Sequence, residues 1–267
     1  MLAQEVRSRL CSRCEGRGWV VSDDGGAGVA EPCECRSEDL IPRLIVAADI
    51  PARYAGCTFD SFRTDVADEA ARAQLLQART VSRRYVEEFV TERGTFEESG
   101  LLFVGPPGVG KTHLAVAVLR ELIQRYRVNG RFVDFTSLIH RIQSTFDPGT
   151  ADTKHAILRQ VTGAEVLVLD ELGAQKPSAW VMEILYLVMN ARYASRLPTI
   201  FTTNLRLDEE SGERMNLDEA NGHRREERLA HRIPASLMSR LYEMAPSKLV
   251  IQAPDFRRRF KMRGRSI

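Results

Sequence analysis

Cysteine is scarce in this chain. There are five among 267 residues, and four of them fall within the first 35 positions. Long apolar runs are missing as well: none approaches the roughly 18 residues that a membrane-crossing helix needs. The first residues, MLAQEVRSRL, lack the apolar stretch of a secretory signal. These absences point to a cytoplasmic protein without membrane contact. In a reducing compartment, paired cysteines serve metal binding or catalysis rather than disulfides. Net charge is nearly absent too: 38 Lys and Arg against 36 Asp and Glu leave +2. The whole molecule is no polycation, and any nucleic-acid binding must come from local basic patches. No internal repeat is present. What remains is an ordinary soluble composition, 43% hydrophobic, able to bury a full core. The length suits one mid-sized domain plus a small appendage.

The clustered cysteines read C-x2-C (Cys11, Cys14), an 18-residue gap, then C-x-C (Cys33, Cys35). Four thiolates complete the tetrahedron of a structural zinc ion. Gly16 and Gly18 follow the first pair, as a tight turn around a metal requires. Between the pairs, GWVV is a short strand candidate and SDDGGAGVAE a loop tip. About 35 residues cannot build a core of their own, so a metal would supply the missing stability. Free thiols or a redox pair are the competing readings. Cys57, alone in YAGCTF, reads as a small buried thiol.

Residues 1–45 are therefore expected to form a zinc-binding head with a linker helix, and 46–267 the main domain. SEDLIPRLIVAADIPARY suggests that helix, with Asp39 as its cap, Pro42 early in it and Ile50-Pro51 ending it. Residues 68–90 predict a long amphipathic helix with Leu75, Leu76, Val81, Tyr85 and Phe89 among its apolar positions. Strand patterns then recur at 101–105, 131–136, 165–171, 199–204 and 248–253, with helical patterns between them. Five strands separated by helices imply an α/β fold with a parallel sheet covered on both faces. The charge-rich stretch 206–232 reads as a surface insertion, helical in part. The tail DFRRRFKMRGRSI is strongly basic.

GPPGVGKT, residues 105–112, matches G-x4-G-K-S/T between an apolar strand and a helix. Gly105, Gly108 and Gly110 let backbone N–H groups approach phosphate oxygens, with Pro106, Pro107 and Val109 completing the loop. The helix start adds its positive dipole end. Lys111 is placed to reach the β- and γ-phosphates of ATP, and Thr112 to ligate magnesium. VLVLDEL puts Asp170 and Glu171 at the carboxyl end of a buried strand, where open α/β sheets bind ligands. Asp170 is placed to hold the magnesium, and Glu171 to orient and deprotonate an attacking water. An adjacent Asp-Glu pair favours hydrolysis over binding alone. PTIFTTN ends another apolar strand in Thr202, Thr203 and Asn204. If the two strands are neighbours, Asn204 can reach the attacking water or the γ-phosphate. Arg240 and Arg257, taken alone, are unremarkable surface arginines.

The ordered set IPARYAGCTFDSF, GPPGVGKTHLAVA, VLVLDELG, PTIFTTN, SRLYEM and DFR resembles the AAA+ ATPases of the DnaC/IstB group, over roughly residues 50–257. The cysteine cluster ahead of it is similar to the helicase-loader branch. The resemblance implies an AAA+ fold and an ATP hydrolase active in a nucleotide-dependent homo-oligomer. It implies that Asn204 is a sensor asparagine, Arg240 a finger reaching the γ-phosphate of a neighbouring subunit, and Arg257 a second sensor within its own subunit. It further implies loading of a replicative helicase, gripped by the head, onto single-stranded DNA. A transposition helper acting on duplex DNA, or a nucleotide-gated DNA-binding adaptor with little turnover, are the alternatives. Two features depart from the family's pattern: the length of 206–232, and the basicity of the tail after Arg257.

Overall fold

The computed structural model describes residues 19–22, 29–32, 40–90, 96–145, 153–207 and 228–257. Strands buried along their whole length need cover on both faces. β3 (Leu101–Val104), β5 (Val166–Asp170) and β6 (Thr199–Thr203) are buried at every position and form the middle of a five-stranded sheet. β4 (Gly130–Asp134) and β7 (Ser247–Val250), with mixed burial, take the edges. The order is β4-β5-β6-β3-β7 and every pairing is parallel. The expected α/β class with a five-stranded parallel sheet is the one the chain adopts.

The period-2 alternation of each strand divides its side chains between two cores. Leu101, Phe103, Val168 and Ile200 face one core, and Leu102, Val104, Leu169 and Phe201 the other. On the first face lies α3 (Lys111–Tyr126), whose residues Leu114 to Leu119 are wholly buried. It is sandwiched between the sheet and α2 (Glu69–Glu87), which Asp68 caps by accepting from Ala71 N at 2.7 Å. Short α1 (Leu40–Ala47) packs Leu44 and Ile45 onto the same core, and Phe132 N of edge strand β4 donates to Ala48 O. The second face is covered by α4 (Phe135–Ser144), α5 (Lys154–Thr162), α6 (Ala179–Ala194) and α7 (Ala235–Met244).

Several local expectations change. The strand expected over 131–136 stops at Asp134, whose carboxylate accepts from Ser137 N and starts α4, so Phe135 and Thr136 are helical. On α2, Leu76 faces solvent, and the buried stripe is completed by small Ala71, Ala78 and Ser82. Both ends of the 206–232 stretch are anchored, since Leu207 and Leu229 are buried. Its middle, residues 208–227, lies outside the described residues.

Near the amino terminus, β1 (Trp19–Ser22) and β2 (Val29–Pro32) pair antiparallel, Trp19 opposite Pro32. The strand expected at GWVV is there. Cys11, Cys14, Cys33 and Cys35 lie outside the described residues, as does the tail beyond Arg257.

Candidate active site

Sheet order decides which residues meet. β6 lies between β5 and β3, with Leu169 beside Phe201 and Val104 beside Thr203. The carboxyl ends of these three strands therefore bring together the glycine loop, the Asp-Glu pair and Asn204. A cavity of about 380 Å³ opens there, lined by residues 107–113 and by Glu171, Thr202, Asn204 and Arg257.

The loop after β3 owes its path to glycine. Gly108 and Gly110 have φ of +83° and +100°, in the region L side chains avoid. A Cβ on Gly110 would lie 2.6 Å from the Phe62 ring, and one on Gly108 1.8 Å from Asp255 Oδ1. Gly105 passes equally close to the backbone of Ile251. Phe256 N donates to Gly108 O at 3.1 Å, so the carboxyl-terminal segment is bonded to the loop. Val109 is buried, and Pro107 lines the cavity.

Lys111 is buried, with all three ammonium protons donated: to Gly105 O at 2.7 Å, Pro106 O at 2.8 Å and Asn204 Oδ1 at 2.7 Å. Burial pulls its pKa down to about 8; Asp170 opposes that shift, and Arg257 adds to it. The bond to Asn204 joins the loop to the end of β6, 93 positions away in the chain.

Thr112 Oγ1 donates to Asp170 Oδ1 at 2.9 Å, and Thr202 Oγ1 donates to the same oxygen at 2.5 Å. Burial pushes the Asp170 carboxyl above the usual carboxylate range, against the pull of the Thr202 and Thr112 hydroxyls. Thr202 Oγ1 also accepts from Glu171 N at 3.0 Å. Glu171 has φ of +59°, a conformation that costs a non-glycine residue free energy. Glu171 is exposed and lines the cavity. A buried carboxylate beside a threonine hydroxyl, an exposed carboxylate and a lysine can together hold an anion–divalent cation pair next to a base.

The two arginines part company. Arg257 lines the cavity, and its backbone N–H donates to Asp255 Oδ1 at 2.9 Å. Arg240, on α7, lies outside the cavity lining. It stacks over Tyr186 and Tyr193 of α6, at 5.1 and 5.7 Å from the ring centroids, and its buried Nη1 has no hydrogen-bond partner among the described residues.

Sequence reasoning gave no role to the residues of the cavity's far wall, and named Thr202 only as a polar strand end, not as a brace. Arg53, Tyr54, Ser61, Phe62 and His113 line that wall. The signal was present in ARY, DSF and the histidine after GKT, but only the fold brings them together. Arg192 of α6, wholly buried, was also missed. Its guanidinium donates to Thr199 Oγ1 and to the carbonyls of Val161, Thr162, Ala164 and Pro198.

Comparison with known proteins gives the chain's family and fold. The IstB-like ATP binding protein family matches residues 66–232. The phage-like element PBSX protein XkdC of Bacillus subtilis (strain 168) is 27% identical over 252 residues, 90% of this chain and 81% of that one. The replicative helicase loader DnaC of Escherichia coli (strain K12) is 28% identical over 157 residues, a match that spans 58% of either chain. A crystal structure of the DnaC helicase loader superposes with a TM-score of 0.58 at 33% identity, covering 75% of this chain and 99% of that one. AMPPCP-bound DnaA from Aquifex aeolicus, with a TM-score of 0.53 and 15% identity, shares the fold alone. By the family match over its central 66–232 and by the phosphate loop within that match, the chain belongs to the IstB-like ATP binding proteins.

Proposed function

We propose that this protein is an ATP hydrolase that loads a replicative helicase onto single-stranded DNA. The observation that carries the reading is the convergence of Lys111, Thr112, Asp170, Glu171 and Asn204 at one cavity. It is joined by 33% identity to the DnaC helicase loader over 99% of that structure.

In this reading the loop from Gly105 to Gly110 cradles the phosphates. Lys111 exchanges its carbonyl acceptors for phosphate oxygens. Thr112 and Asp170 would hold magnesium: one hydroxyl and one carboxylate, oxygen donors only, suit that ion. A magnesium ion held by Thr112 and Asp170 would supply neutralisation of phosphate charge. Glu171, exposed at the cavity, takes a proton from water, and Asn204 orients that water or the γ-phosphate. Arg257 contacts nucleotide in its own subunit. Arg240, outside its own cavity, serves a neighbouring subunit's site, which makes hydrolysis depend on a homo-oligomer formed on ATP.

Residues 1–45 act as the helicase-gripping head, and 46–267 as the AAA+ ATPase, with α1 straddling the junction. We assign a zinc site to the four cysteines that flank the β1–β2 hairpin in the sequence. Because Trp19 pairs with Pro32, Cys33 follows one strand's end by one residue and Cys14 precedes the other's start by five. Four thiolates are the donor set a structural zinc takes. Native mass spectrometry should find one zinc per chain; a metal-free native mass returns these cysteines to free thiols.

ATP hydrolysis with and without single-stranded DNA, on wild type, Glu171→Gln and Arg240→Ala, tests the enzyme. Wild type should be stimulated, and both variants should lose the stimulation while the monomer still binds nucleotide. Equal, slow turnover by wild type and Glu171→Gln under all conditions leaves only a nucleotide-gated adaptor. The IstB family match favours one second reading, a transposition helper on duplex DNA. Stimulation by duplex rather than single-stranded DNA would select it.

A further inference from the structure

The glycine loop and the Asp-Glu pair take the phosphate end of a nucleotide, so the sugar and base must lie toward the rest of the cavity. That wall comes from the segment 53–63, which presents Arg53, Tyr54, Ser61 and Phe62. Its shape rests on a turn closed by reciprocal bonds, Thr58 N to Ser61 Oγ at 2.9 Å and Ser61 N to Thr58 Oγ1 at 3.1 Å. The turn is fastened to the first turn of α3 by His113. Its Nε2 lies 2.8 Å from Thr58 O and 3.2 Å from Ser61 Oγ. A carbonyl oxygen only accepts, so Nε2 carries the proton and donates. The ring also meets Phe62 edge-on, with centroids 5.5 Å apart, and Phe62 in turn fills the space beside Gly110. Two helical turns along α3, Arg120 donates to Ala55 O, which fixes the other end of the segment.

We propose that His113 is a positioning residue for nucleotide recognition: it clamps the 53–63 segment to the phosphate-binding helix and so sets the wall that meets sugar and base. The inference rests on the ATP-binding reading of the cavity. It separates His113 from its neighbours Lys111, which acts on phosphates, and Thr112, which serves the magnesium. Losing the clamp therefore affects the part of ATP that inorganic tripolyphosphate lacks.

The test is calorimetric titration of the full chain, with magnesium, by ATP and by inorganic tripolyphosphate. His113→Ala is expected to weaken ATP binding about tenfold, the scale of one lost hydrogen bond, and to leave tripolyphosphate within about twofold. A glutamine side chain carries an N–H the same number of bonds from Cβ as the histidine Nε2, so His113→Gln should restore most of the ATP affinity. Equal weakening of both ligands overturns the proposal, because His113 would then act through the phosphate loop. Unchanged ATP affinity, or no rescue by glutamine, overturns it as well. If His113→Ala does not fold, Ser61→Ala, which removes the second contact and the bond from Thr58 N while keeping that from Ser61 N to Thr58 Oγ1, must show the same ATP-selective loss or the proposal fails. A wild type that binds neither ligand would remove the ATP-binding reading itself, an outcome distinct from all of these.

Discussion

Thr202→Val is the most informative single change at the acidic pair. Valine matches threonine in shape, so the wholly buried site keeps its packing and loses only a hydroxyl. That hydroxyl makes two bonds, donating to Asp170 Oδ1 at 2.5 Å and accepting from Glu171 N at 3.0 Å. The first is charge-assisted and the second satisfies a backbone donor at a strained residue; together they contribute about 2–4 kcal/mol. For a chain of this size that corresponds to a fall in thermal midpoint of roughly 5–15 °C. The effect should depend on pH with a definite sign. The Thr202 hydroxyl lowers the Asp170 pKa, so it favours the ionised carboxylate over the neutral acid. The Asp170 pKa in the fold is nonetheless raised by burial. As pH rises through that value the native state must carry a buried charge, and stability is lost. The variant's deficit should therefore be largest at neutral pH and shrink in acid. In steady-state hydrolysis kcat should drop about a hundredfold, since a misplaced carboxylate pair loses its alignment with substrate, and KM should change much less. Thr202→Ser, which keeps the oxygen, should recover most of both. Thr202→Val with unchanged midpoint and unchanged kcat would falsify the brace.

Lys111, with a pKa of about 8 before ATP binds, should return to the ammonium form once triphosphate surrounds it. Calorimetry in buffers of different ionisation enthalpy should then show proton uptake on ATP binding that grows between about pH 7 and 9. Because the folded pKa lies below the unfolded 10.5, the protein before ATP binds should also gain stability as pH rises from about 8 toward that value. Absence of proton uptake at about pH 8.5 would show that the amine is not depressed. Arg192→Leu removes a guanidinium that donates to Thr199 Oγ1 and to four carbonyls, and by leaving several buried acceptors unsatisfied should cost about 3–5 kcal/mol in denaturant unfolding. The protein that remains folded should bind ATP as before. At the positive-φ position, Glu171→Gly should be about 1 kcal/mol more stable than Glu171→Ala, with hydrolysis lost in both. Equal unfolding midpoints for the two would mean that the backbone there is relaxed.

The parts of this protein that could be read from its sequence are those whose chemistry is contiguous in the chain. GPPGVGKT carries its glycines, lysine and threonine within eight positions, and a strand and helix flank it directly. VLVLDE does the same for Asp170 and Glu171. Where one residue serves two elements, the pattern misleads: Asp134 sits at the end of an apolar, strand-like run, yet its carboxylate caps α4. The same holds on α2, where the buried stripe runs through alanines and a serine while Leu76 faces solvent. Small residues at a close helix–helix contact carry little hydropathy, so periodicity under-weights them.

Other features depend on strand order, and no local pattern encodes that. Asn204 reaches Lys111 only because β6 is inserted between β5 and β3, although two strands, β4 and β5, separate β3 from β6 in the chain. The same insertion places Thr202 over Asp170. Arg192 is the extreme case. Its charge is tolerated without a carboxylate partner because the end of α5 and the turn before β6 present their carbonyls to one point. Such a convergence has no signature in the residues themselves, since a carbonyl belongs to every amino acid. A buried arginine in a helix therefore reads as surface until the fold supplies its acceptors. By the same reasoning Arg240, whose buried Nη1 has no hydrogen-bond partner among the described residues and whose guanidinium lies over two tyrosines of α6, has an environment that only the packing of α7 on α6 defines.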